Sequence, residues 1–277
     1  MDLQHLTNIA IKAALAAGKV IQKYMNDDFI ILENKSGDSK ASQVLTEVDL
    51  KSEKVILSYL LPTCKTHNLG LLTEEQEDDK SRFKKDFFWC IDPIDGTLAF
   101  IKKQAGFSVS IALISKQGVP QIGVVFDPTT NNLYHAIKGK GAFKNEKPWQ
   151  LNPPNNYLTY TIEKPLAELP RKDEFIEILN REKEKLKLTT LQEHFGSGSV
   201  LNAITVAENR PGILLKFPKE EKGGGSIWDY ASTVCIFNEL GLQVTKFNGE
   251  ALDLNNKESS FMNLQGVFYR SLIKKVE

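Results

Sequence analysis

Residues 87–101 read FFWCIDPIDGTLAFI, and how this stretch turns decides how the chain folds. Phe87-Phe88-Trp89-Cys90-Ile91 is a short apolar and aromatic run bounded by turn residues, the mark of a buried strand. Asp92-Pro93-Ile94-Asp95-Gly96 interrupts it, and the Thr97 hydroxyl with the apolar residues that follow predicts a helix start. Two carboxylates and a hydroxyl therefore sit on a tight turn between a buried strand and a helix N-terminus. Oxygen ligands in such a turn suit a hard cation such as Mg²⁺, and the free N–H groups at the helix start suit a phosphate. An isolated Asp-Gly is usually only a turn. Here Pro93 and a second Asp three residues earlier favour the ligand reading over the turn alone.

The rest of the chain is that of an ordinary soluble protein. Its 277 residues suffice for two domains or one large one, and 41% hydrophobic with 25% charged residues is globular composition. Lys plus Arg and Asp plus Glu both number 35, so there is no overall charge to draw a nucleic acid polymer or an anionic membrane. Cys64, Cys90 and Cys235 are few, odd in number and unevenly spaced, which predicts reduced thiols and a cytoplasmic setting. Residues 1–25 carry apolar positions at helical spacing, but Lys12, Lys19 and Lys23 break any signal-peptide core or membrane span.

Along the chain, residues 34–40 form a polar stretch expected to be a loop, and 34–43 raises the question of a lid. Residues 47–61 return to helical periodicity, with an expected stop at Pro62. Thr46 and Asp49 head this helix, where either alone would be read as a cap. Leu69–Leu72 is a short strand delivering Glu74; the acids that follow, through Asp79, read as a solvated run. Residues 107–114, 119–126 and 132–137 predict an antiparallel meander. Pro148 and Asn152–Asn156 mark a boundary between an N-terminal α+β half, 1–150, and a C-terminal α/β half, 151–277. In the second half, strands at 158–162, 186–191, 213–217, 242–247 and 267–269 alternate with helices at 171–185, 199–208 and from Ile227 to Gly241.

Glu74, the pair Asp92 and Asp95, and Asp229 thus lie at element ends, where side chains can converge on one cleft. Several acids with one hydroxyl point to metal-assisted hydrolysis of a phosphate ester. The order Thr-Glu-Val-Asp (46–49), Glu-Glu (74–75), Trp-x-Ile-Asp-Pro-Ile-Asp-Gly-Thr (89–97) and Trp-Asp (228–229) resembles the inositol monophosphatase superfamily of lithium-sensitive, Mg²⁺-dependent phosphatases. The resemblance covers nearly the whole chain. It implies an α+β protein with a layered αβαβα sugar-phosphatase fold, often a homodimer, holding two or three Mg²⁺ ions. Carried over residue by residue, it implies that Glu74, Asp92, Asp95 and Asp229 ligate metal and that Ile94 lends a backbone carbonyl. It further implies that Gly96 and Thr97 hold the phosphate through backbone N–H groups, and that Asp49, with Thr97, orients or deprotonates the attacking water. Glu74 counts among the catalytic residues for its place in that metal set. Gly196 and Ser197, at the start of the 199–208 helix, are candidate substrate contacts.

Two departures bear on the substrate, expected to be a small phosphate ester. Thr73 stands where the family usually has Gly before its paired acids. The position seven before Asp229, a substrate-binding Glu in inositol-specific members, is Lys222 beside Gly223-Gly224-Gly225. Phe100-Ile101-Lys102-Lys103 and Ser260-Phe261-Met262-Asn263 look more like the 3′(2′),5′-bisphosphate nucleotidase branch, with Lys102 or Lys103 available to a second phosphate. The expected substrate is therefore adenosine 3′,5′-bisphosphate, with inositol-1-phosphate the alternative. Haloacid dehalogenase-type chemistry is disfavoured, because Asp residues three apart on an extended strand do not share a face. A non-catalytic metal-binding scaffold would need a missing ligand, and none is missing.

Overall fold

The computed structural model describes residues 1–25, 27, 31–33 and 44–272. The stretch at 34–43, with the question of a lid, lies outside them. Five layers are stacked in the order αβαβα. Helices α1 (Leu3–Tyr24) and α2 (Glu47–His67) cover one face of a seven-stranded sheet. Its strands are β3 (Gly70–Thr73), β4 (Phe87–Asp95), β5 (Ser108–Ser115), β6 (Pro120–Asp127), β7 (Asn132–Ile137), β8 (Gly141–Lys144) and β9 (Lys147–Pro148), in that spatial order. Two short strands, β1 (Ile31–Glu33) and β2 (Val44–Thr46), pair separately.

The middle layer is α5 (Ser199–Glu208) and α6 (Ile227–Glu239). Beyond it lies a five-stranded sheet ordered β11-β10-β12-β14-β13, made of β10 (Tyr157–Ile162), β11 (Thr190–Phe195), β12 (Gly212–Lys216), β13 (Gln243–Thr245) and β14 (Val267–Arg270). Helix α4 (Lys172–Lys185) closes the far side; the one-turn α3 (Thr97–Ile101) follows β4. All strands of the first sheet precede residue 149 and all those of the second follow residue 156.

Burial explains why β4 reads as a continuous apolar run. Trp89 and Ile91 face the α1–α2 layer, while Phe88 and Cys90 face α5 and α6. A strand covered on both faces has no polar side to alternate with. Gly123 on β6 lets α6 approach, since a Cβ there would lie 2.2 Å from the Ser232 carbonyl oxygen. The meander at β5–β7 forms as expected. All three cysteines are free thiols. Among the described residues no helix is long and apolar enough to cross a membrane.

Some expected boundaries move. Helix α2 does not stop at Pro62 but runs on to His67 and closes on Asn68 in the left-handed region. Proline costs a helix one hydrogen bond. The turn beyond it is tied into the core, where buried Thr63 accepts the Trp89 indole N–H at 2.8 Å. The strand expected at 186–191 lies instead at 190–195. Leu186 and Leu188 pack against the α4 layer from the turn that ends the helix, where Leu188 N–H donates to the Lys183 carbonyl. The acidic run after Glu74 is not wholly solvated either. Asp78 accepts from Arg82 Nε at 2.8 Å, and Arg82 is 1% exposed.

Candidate active site

Strand β4 cannot pair straight through its Asp-Pro-Ile-Asp turn. Asp92 sits opposite Ser110 and Asp95 opposite Ser108, three steps on one strand against two on the other. The extra residue is a bulge, and a bulge re-aims the side chain that follows it. Asp92 and Asp95, which would not share a face on a regular extended strand, therefore converge as the turn reading expected. Together with Asp229 from the first turn of α6, they offer carboxylate oxygens all within 4.8 Å of one another. Glu74, just past the end of β3, lies near enough for its charge to bear on Asp92.

Each acid is fixed by its own local structure. Asp92 Oδ1 accepts the Ile94 N–H at 3.0 Å, closing the turn. Asp95 accepts the Ser199 and Val200 N–H groups, each at 3.0 Å, and so caps α5 from a distant strand. Asp229 accepts the Ser226 N–H at 2.6 Å and caps its own helix. Asp49 Oδ2 takes both the Thr46 N–H (2.8 Å) and the Thr46 hydroxyl (2.5 Å). Its Oδ1 lies 3.4 Å from the Thr97 hydroxyl, which also donates to the Ile94 carbonyl at 3.0 Å.

Helix α2 ties both acidic turns together. One of its faces presents Asp49 to Thr97, Ser52 to the Pro93 carbonyl (3.0 Å) and Glu53 to the Thr73 hydroxyl and Gln76. The Thr73 that departs from the family's usual Gly is thus bonded to Glu53, and its hydroxyl also accepts the Glu75 N–H at 3.2 Å. Backbone convergence needs three glycines. A Cβ on Gly96, where φ is +86°, would meet the Gly106 carbonyl oxygen at 2.5 Å, and one on Gly198 would meet the Asp95 carboxylate at 2.3 Å. One on Gly106 would strike the Gly196–Ser197 backbone, which places that turn beside Gly96 and Thr97.

The electrostatics are those of a site built for a cation. Burial, then Glu74, Asp229 and Asp95, hold the Asp92 carboxyl well above the usual range. Burial and Asp229 do the same to Asp95. Burial also pushes Asp229 up, to about 7, with Glu74 adding to the shift and Lys216 opposing it. Like charges crowded in a dry place cannot all ionise without a counterion. An all-oxygen set with this unmet charge fits Mg²⁺.

Other expected contacts are arranged differently. Lys222 is exposed on the loop between β12 and α6, as are Lys102 and Lys103 beyond α3. That loop is clasped by the 260–263 stretch. Asn263 Nδ2 donates to the Lys219 carbonyl, Met262 N–H to Gly225, and Ile227 N–H to Ser260. The ammonium whose charge bears on Asp95 and Asp229 belongs instead to Lys216, at the end of β12. It donates to Glu163 at 2.5 Å, the Ser199 hydroxyl at 2.7 Å and the Gly224 carbonyl at 3.1 Å. Neither Lys216 nor Glu163 stood out in the sequence.

A profile of the inositol monophosphatase family matches residues 2–277. An inositol-1-monophosphatase of Bacillus subtilis is 28% identical over 88% of this chain and 86% of its own length. The 3′(2′),5′-bisphosphate nucleotidase CysQ of Salmonella typhimurium is 30% identical over 93% of this chain and 96% of its own. Among solved structures, CysQ from Bacteroides thetaiotaomicron superposes with a TM-score of 0.76 at 25% identity, covering 97% of each chain.

Proposed function

The chain belongs to the inositol monophosphatase family and is a phosphoric monoester hydrolase; from that premise we propose that it is a Mg²⁺-dependent phosphatase of adenosine 3′,5′-bisphosphate. The convergence of Asp92, Asp95 and Asp229 beside Glu74 is the observation that carries the metal-dependent reading. Glu74, Asp92, Asp95, Asp229 and the Ile94 carbonyl would hold the ions. When bound, Mg²⁺ supplies the positive charge that offsets the phosphate dianion and makes water a stronger acid.

The protein's own groups do the rest. Gly96 and Thr97 precede the first intrahelical bonds of α3, which begin at the Ala99 and Phe100 N–H groups, so their own N–H groups are open to phosphate oxygens. Thr97 holds the attacking water in line with the phosphorus. Asp49, its other oxygen locked by Thr46, accepts the proton that Thr97 relays.

The choice of the nucleotide is supported by the CysQ similarity in sequence and structure. The 217–226 loop adds to it, with Lys219, Lys222 and three glycines able to meet a second phosphate. Inositol-1-phosphate is the second reading, favoured by the comparable identity to an inositol-1-monophosphatase. Phosphate release decides between them. The expected result is a kcat/KM for adenosine 3′,5′-bisphosphate above that for inositol-1-phosphate, with a selective loss for the nucleotide in Lys222→Glu. A ten-fold preference for inositol-1-phosphate would transfer the assignment to the inositol reading.

A further inference from the structure

Lys216 and Glu163 form an ion pair on the wall of the acid cluster, built from elements remote in sequence. Glu163 follows β10, Lys216 ends β12, and Ser199 opens α5. All three ammonium protons of Lys216 are committed, to Glu163, Ser199 and Gly224, and its side chain is only 16% exposed. Such a lysine has no donor left for a substrate phosphate. Glu163 is different. Its Oε1 accepts from both Lys216 and the Ser199 hydroxyl (2.8 Å), while among the described residues no donor reaches Oε2. The side chain is 37% exposed.

The pair is tied directly to the reaction centre. The Ser199 whose hydroxyl holds Glu163 also gives its backbone N–H to Asp95. Burial works against ionisation of Glu163, but Lys216 and Ser199 outweigh it and keep the carboxyl below its ordinary range. An ionised carboxylate is acceptor-only. It repels a phosphate and takes a hydroxyl.

Resting on the phosphatase reading, we propose that Glu163 selects substrates by accepting a hydrogen bond from a hydroxyl adjacent to the phosphate ester in the leaving group, and that Lys216 is the residue that positions it. The substrate class is a vicinal hydroxy-phosphate: a 3′-ribonucleotide with its 2′-hydroxyl, or a cyclitol phosphate with its neighbouring ring hydroxyl. The Lys216–Glu163 pair sets preference within the class through this hydroxyl, and the 217–226 loop through whatever lies further out.

The test compares adenosine 3′,5′-bisphosphate with its 2′-deoxy analogue, and inositol-1-phosphate with its 2-deoxy analogue, in Mg²⁺. A hydrogen bond to a charged acceptor predicts about 10- to 100-fold higher kcat/KM for the hydroxyl-bearing member of the preferred pair. In Glu163→Ala, and in the Glu163→Ala/Lys216→Met double variant that leaves no unpaired charge, that ratio falls to within about 2-fold. Lys216→Met alone lowers the ratio although the carboxylate remains, and Lys216→Arg restores part of it. A merely structural role would slow both members equally and leave the ratio unchanged, which overturns the proposal. Equal turnover of both members by the wild type also overturns it, with the phosphatase reading intact. Failure to release phosphate from any of the four, or from p-nitrophenyl phosphate, defeats the phosphatase reading and this proposal with it.

Discussion

Phosphate release should fall to background when excess EDTA is added and return when Mg²⁺ is restored. The physical ground is the unmet charge of four acids. Carboxylate oxygens of Asp92, Asp95 and Asp229 lie within 4.8 Å of one another, and the charge of Glu74 bears on Asp92. Without a divalent ion this cluster repels a phosphate dianion, and no other described group in it can supply the lost charge. Lewis-acid stabilisation is worth several kcal/mol, so the loss should reach about 10³-fold or more in kcat/KM. Mg²⁺ should also raise the melting temperature of the EDTA-treated protein, since a ligand at about 100 times its Kd stabilises by about 2.7 kcal/mol. Turnover undiminished in EDTA would remove the metal from the account.

A single added methyl group should be almost as damaging. Gly198 has φ −63°, a backbone any residue adopts, so Gly198→Ala tests space alone. The new Cβ would lie 2.3 Å from the Asp95 carboxylate. Asp95 cannot swing aside freely, because Ser199 and Val200 N–H groups hold both its oxygens. Displacing a reacting or ligating group by about 1 Å costs about 10²-fold, and kcat/KM should fall by that much while circular dichroism stays native. Full activity in Gly198→Ala would mean that Asp95 is not held where the structure places it.

Much of this centre was legible in the sequence for a definite reason. Asp92, Asp95, Thr97 and Asp229 each sit where an apolar run gives way to polar residues, so element type and end are both readable from composition. The αβαβα layering followed from the resemblance and is what the packing displays. What stayed hidden depends on long-range geometry. Glu163 and Lys216 lie 53 positions apart and meet only when β10 and β12 pair in one sheet. Nothing local distinguishes either from a solvated charge. The bulge that turns Asp95 back towards Asp92 is likewise a property of pairing with β5, so a flat strand was the wrong frame for those two residues. Pro62 misled because a proline penalty is local, whereas the packing that carries the helix past it is not: the Trp89–Thr63 hydrogen bond in the turn beyond spans 26 positions. Arg82 was invisible for the same reason. Its burial follows from Asp78 on one side and Asn255, 173 positions away, on the other.

The central claim is that the β4 turn divides its work, with Asp92 holding metal and Thr97 positioning water. Calorimetric titration of Mg²⁺ into the wild type, Asp92→Asn and Thr97→Ala, each first stripped with EDTA, tests this most directly. Asp92→Asn should lose both Mg²⁺ binding and phosphate release. Thr97→Ala should bind Mg²⁺ nearly as the wild type does while kcat drops by about 10²-fold, because its hydroxyl acts on the water and not on the ion. Equal Mg²⁺ isotherms for the wild type and Asp92→Asn would contradict the account.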